Sequence, residues 1–167
     1  MSPGLLKVSE RAQTDSEARF NSVAHLLDGD ALLRAYERIR KNAAVGIDGI
    51  TKEDYGRELV DNLCNLHERL RTKRYRHQPI RRVHIPKAPG KTRPIGISTT
   101  EDKIVQGAMR EVMEAIYEQD FLDCSFGFRP NRSAHDALRT LNRMLESERI
   151  AVISGGRHPG VLRQRAA

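Results

Sequence analysis

The sequence predicts an α+β fold, with amphipathic helices beside one basic β-hairpin. Apolar residues recur at three- and four-residue spacing in four separate segments, the period of helices with one buried face. Between them, "RRVHIPKAPGKTRPIGIS" (residues 81–98) alternates apolar and polar residues around a turn, the period of a strand pair. Charge singles out the same region: residues 69–93 hold ten Lys or Arg and no Asp or Glu.

Each element has its own local signal. Residues 1–19 are polar without a clear period and read as a loose tail. In "DALLRAYERIRKN" (residues 30–42), Leu32, Leu33, Tyr36 and Ile39 share a helical face, with Asp28 or Asp30 as the cap. "AAVGIDGIT" follows as a turn. Thr51, with Asp54 three residues on, starts a helix to about Lys73, striped by Tyr55, Leu59, Leu63, Leu66 and Leu70. In the hairpin, Val83 and Ile85 alternate with Arg82 and His84, "APGK" turns the chain and "RPIGIS" returns it. Pro94 cannot donate to a ladder, so its strand is an edge or irregular. Ser98 and Glu101 suggest a capping box for a helix striped by Ile104, Val105, Ala108, Val112, Ala115 and Ile116. "DCSFGFRPNRS" reads as a loop. Ser133 and Asp136 cap a last helix with Ala134, Ala137, Leu138, Leu141 and Leu145 on one face.

Composition narrows the function classes. A chain of 167 residues, 38% hydrophobic and 31% charged, can bury a modest core. Its net charge of +7 points to a polyanionic partner. No apolar run approaches a membrane span and no signal core opens the sequence, so a cytoplasmic protein is expected. Cys64 and Cys124 lack C-x-x-C spacing and read as buried free thiols in a reducing compartment.

A basic hairpin suits phosphate, because guanidinium groups match phosphate oxygens in a bidentate way. A solvated edge that discourages sheet-to-sheet pairing is the plainer reading. Ten cations with no intervening anion favour phosphate binding. Charge alone does not distinguish a nucleic acid backbone from a nucleoside triphosphate. Phe126 or Phe128 could stack on bases, but two phenylalanines flanking a glycine more often anchor a loop to a core. His135 has no nucleophile or carboxylate constellation and reads as structural or as a polar contact. Walker, G-x-G-x-x-G and H-E-x-x-H motifs are absent, and Asp48 and Asp136 are not visibly paired as metal ligands.

Three blocks together carry a resemblance. "AAVGIDGIT", "YRHQPIRRVHIPKAPGKTRPIGISTTEDKIVQ" and "DCSFGFRPNRSAHDAL" resemble, in order and spacing, the N-terminal blocks of group II intron reverse transcriptase–maturases. The likeness covers about Leu26 to Ser147. It implies an RNA-directed DNA polymerase whose right-hand fingers these blocks form, with intron or template RNA and nucleotides as partners. It also implies that Arg81 and Lys87 reach the triphosphate of the incoming nucleotide. Arg82, Lys91 and Arg93 would then lie along template RNA or nucleotide phosphates.

The likeness stops at the palm. In the family, an aspartate near "FFD" and a later "YADD" hold two magnesium ions for phosphoryl transfer. Neither motif occurs here, so the chain resembles fingers with a truncated palm, expected to be inactive alone and to hold no cofactor of its own. Residues 20–150 form the fingers region in this reading, and residues 151–167 an aberrant tail. Gly155 to Arg165 can be written in codons which, read one base on, give "EADIQGFFDNV", resembling the family's first palm motif. The third letters of those codons are free to choose. A frameshift near residues 152–155 is favoured over a divergent natural tail. A non-catalytic RNA-binding fragment or a pseudogene product is the alternative. Self-association, or pairing with a palm-containing fragment, is expected from uncovered apolar stripes.

Overall fold

A computed structural model describes residues 2–15 and 17–147. The proposed frameshift and aberrant tail lie outside these residues. The described residues divide into two compact units, one up to Phe121 and one from Leu122 onward.

The first unit begins with a helix where a loose tail was expected. Helix α1 spans Pro3–Thr14, and the Ser2 side chain accepts from the Leu5 N–H at its start. Proline suits the first helical position because its missing N–H would have no partner there. Leu5 and Ala12 are buried, so tertiary packing on a later helix holds a segment whose own apolar period is weak.

Helix α2 spans Gly29–Arg38, and of the two candidate caps Asp28 is used, accepting from Ala31 N–H at 2.8 Å. The helix predicted from Thr51 to Lys73 is broken in two. Helix α3 covers Lys52–Gly56, with the reciprocal Thr51–Asp54 capping box that the sequence suggested. Helix α4 covers Leu59–Arg71. At the break, the Asn62 side chain donates to the Tyr55 carbonyl at 3.0 Å and satisfies one carbonyl that a continuous helix would use.

Strands β1 (Arg81–Ala88) and β2 (Lys91–Ile97) form a two-stranded antiparallel ribbon. Gly90 supplies the positive φ of the turn. Pro94 stands opposite His84 and Pro86 opposite Thr92, with an irregularity between Pro86 and Ala88. Helix α5 then spans Thr100–Tyr117. Its cap is Thr99 with Asp102, one residue beyond the predicted Ser98–Glu101 pair.

Helix α5 is the centre of this unit, with α1 and α2 packed on it and α4 against α2. Leu32, Leu63, Leu66, Ile104, Ala108, Val112 and Ala115 meet in one core. A Cβ on Gly107 would sit 3.0 Å from the Ala35 Cβ, so two small residues let α2 and α5 approach closely. Arg34 and Arg38 of α2 both pair with Glu111 of α5 at the edge of that contact.

The second unit contains helix α6, Ala134–Ser147, capped by Ser133 and Asp136 as predicted. Its apolar stripe is not buried: Leu138, Leu141, Met144 and Leu145 are exposed among the described residues. Phe128 is fully exposed at φ +60° and anchors no core. Phe126 lies under the Arg132 guanidinium at 5.5 Å. Both cysteines are free but exposed, contrary to the buried thiols expected. No helix among the described residues is long and apolar enough to cross a membrane.

Candidate nucleic-acid interface

The ten cations of residues 69–93 divide by what they touch. Arg69 on α4 pairs with Glu101 of α5, and Arg71 pairs with Glu68. Arg76 donates to the carbonyls of Lys73 and Tyr75 and so braces the segment leading to the ribbon. Arg81, Arg82, Lys87, Lys91 and Arg93 are all on the ribbon and exposed. Among the described residues none of these five has a carboxylate within ion-pair distance. Five cations without a counter-charge on one hairpin make a surface that favours polyanions.

The pleat sorts them. Arg81 pairs with Ile97, Val83 with Ile95 and Ile85 with Arg93 across the ladder. Side chains alternate between faces, so Arg81 and Arg93 share a face with Val83, Ile85, Ile95 and Ile97. Lys91 follows the same alternation along β2, and Lys87 stands at the irregularity beside the turn. Arg82 pairs with Gly96 and points to the opposite face, next to Ile80, whose Cγ2 would lie 2.6 Å from a Cβ on Gly96. The five residues singled out by sequence therefore do not form one cluster. Four spread along one face and the tip, and Arg82 stands alone on the other.

A sixth cation was not anticipated. Lys103, in the first turns of α5, donates to the Ala44 carbonyl. Burial pushes its pKa down, nearby Asp48 pushes it up, and Arg81 pushes it down again. Lys103 is thus an electrostatic neighbour of the start of the ribbon. The "AAVGIDGIT" turn brings these groups together, because Thr100 also donates to the Ile50 carbonyl at 2.8 Å. Among the described residues no three His, Cys, Asp or Glu side chains converge to hold a metal ion. His135 is exposed.

No protein-family model matches the chain. Among curated proteins, it is 38% identical over 143 residues to the protein YkfC of Escherichia coli K12, covering 83% of this chain and 38% of YkfC. It is 35% identical over 144 residues to the group II intron-encoded protein LtrA of Lactococcus lactis subsp. cremoris, covering 83% of this chain and 24% of LtrA. The chain is a relative of the group II intron-encoded proteins. The 91 kDa protein in the cob intron of Schizosaccharomyces pombe is 37% identical over 116 residues, 70% of this chain and 14% of its own length. The chain spans well under half the length of each of these relatives.

Proposed function

We propose that this chain is the RNA-gripping fingers portion of a group II intron-type RNA-directed DNA polymerase. Arg82, Lys91 and Arg93 bind template or intron RNA phosphates in this reading, and Arg81 and Lys87 bind the triphosphate of an incoming nucleotide. The observation that supports it best is the exposed ribbon with five cations and no carboxylate partner among the described residues. Relatives named as group II intron-encoded proteins give the chemistry its context. The polymerase step in such a protein uses magnesium. The role assigned to the described residues in this reading is binding and orientation.

Salt dependence tests the reading. Each phosphate neutralised on a single strand adds about 0.7 to the slope of log affinity against log salt. Fluorescence anisotropy with an unstructured RNA oligonucleotide is expected to give a steep slope for the wild type. Replacing Arg81, Arg82, Lys87 and Lys91 by glutamine is expected to weaken binding and flatten it. A quadruple variant with the wild-type slope would put the RNA surface elsewhere. Competition by a deoxynucleoside triphosphate, lost in Arg81→Gln and Lys87→Gln, tests the nucleotide assignment separately.

A further inference from the structure

One buried carboxylate ties both ends of the basic ribbon to the helical body. Asp102, in the first turn of α5, is only 4% exposed. Its Oδ2 accepts from the Gln78 backbone N–H, just before β1, at 3.2 Å. The same oxygen accepts from the Thr99 hydroxyl, just after β2, at 2.8 Å. Its Oδ1 accepts from the Tyr75 hydroxyl. Burial, then the hydrogen bond to Asp102, raises the Tyr75 pKa, so Tyr75 remains a neutral donor. The Tyr75 ring lies 6.0 Å from the Arg69 guanidinium, which itself pairs with Glu101.

Other contacts at the base reach one side only: the Ser98 hydroxyl, just after β2, accepts from the Gln106 side chain at 3.4 Å. An isolated two-stranded hairpin is marginal in water. Among the described residues, the ribbon's cross-strand pairing far outweighs its packing on any helix. Its direction is therefore set where it joins the body, and Asp102 bonds the chain on both sides of that junction. Its place at the N-terminal end of α5 adds a favourable dipole to the three donors.

We propose that Asp102 is a positioning residue that fixes the base of the ribbon and so aims its cations at RNA phosphates. The second half of this statement rests on the RNA-binding reading above. Holding several cations in one arrangement lowers the ordering cost of contacting several phosphates together. Asparagine at this position keeps the shape but removes the charge and one acceptor oxygen, so the remaining bonds are neutral and weaker and the Tyr75 hydroxyl must turn to accept or lose its partner.

Hydrogen exchange and RNA anisotropy, run together on the full chain, test the proposal. In Asp102→Asn, the amides of α2 and α5 are expected to stay protected. Those of residues 78–97 exchange about tenfold faster, as follows from losing a buried charged acceptor. RNA affinity falls, and the salt slope becomes shallower as fewer phosphates are engaged together. Tyr75→Phe shifts both readouts the same way by less. Unchanged ribbon exchange in both variants overturns the proposal, as does faster exchange with wild-type affinity and slope. If Asp102→Asn unfolds the whole chain, Tyr75→Phe decides by the same readouts, because it leaves the Gln78 and Thr99 bonds in place. If the wild type shows no salt-dependent RNA binding, the RNA reading fails, and the exchange arm still decides whether Asp102 fixes the ribbon.

Discussion

Single atoms decide whether the body beneath the ribbon closes. A Cβ on Gly46 would lie 2.6 Å from the Thr99 Cα and 2.7 Å from its N, both backbone atoms at the cap of α5. Backbone cannot move aside as a flexible side chain can. Gly46→Ala is expected to cost about 1–3 kcal/mol, the usual range for overpacking, seen as a lower midpoint in denaturant. Tyr55 makes the opposite case. Its hydroxyl is buried with no hydrogen-bond partner among the described residues, and burial pushes its pKa up to about 12. An unsatisfied buried hydroxyl costs roughly 1–3 kcal/mol. Tyr55→Phe should therefore leave stability unchanged or raise it, and a clear loss in thermal unfolding would mean that the hydroxyl has a partner in solution. At this scale the sequence was only partly legible. The "STTED" run contains two overlapping cap patterns, and local spacing does not choose between Ser98 with Glu101 and Thr99 with Asp102. The structure uses the second because Asp102 also meets Tyr75 and Gln78, whose approach depends on the tertiary fold.

Between elements, the α2–α5 contact joins an apolar seam to an acid-sensitive edge. Burial pushes the Glu111 carboxyl up, but hydrogen bonds and charge from Arg34 and Arg38 outweigh it and hold it below the ordinary glutamate value. A depressed carboxyl contributes stability that is fully present above its unfolded pKa, about 4.3, and lost as pH falls through the lower folded value. Stability measured from pH 6 down to strongly acid conditions is expected to fall less steeply in Glu111→Gln than in the wild type. Parallel curves would remove Glu111 from the acid response. In the core beside it, Leu32→Ala on α2 or Leu66→Ala on α4 is expected to cost about 2–5 kcal/mol, since both are fully buried. The stripes that line this seam were readable from spacing, and Ile104, Ala108, Val112 and Ala115 are buried as predicted. The hairpin and its turn were readable too. The break between α3 and α4 was not, because the leucine period runs on through Gly56 without interruption. Nor was the Arg34–Glu111 pair, whose members are 77 residues apart.

At the scale of whole units, α6 carries an apolar face that the described residues leave exposed. Leu138, Leu141, Met144 and Leu145 stand exposed on one helix. Contiguous exposed apolar side chains favour association. Light scattering is expected to show concentration-dependent assembly that Leu141→Gln with Leu145→Gln reduces, while far-UV circular dichroism is retained. A clean monomer at all concentrations would count against it. The relationship to intron-encoded proteins was legible because three sequence blocks keep their order and spacing. The uncovered face was legible only as a stripe, since a helical period does not tell whether anything packs on it. The ribbon has a further consequence in time. Its five exposed cations, with no carboxylate partner among the described residues, present a net positive field to an approaching polyanion. Encounter should then be electrostatically steered, with an on-rate that drops steeply as salt rises. Departure depends instead on the contacts made after docking. Rapid-mixing kinetics should accordingly assign most of the ribbon's salt sensitivity to capture, with release changing comparatively little.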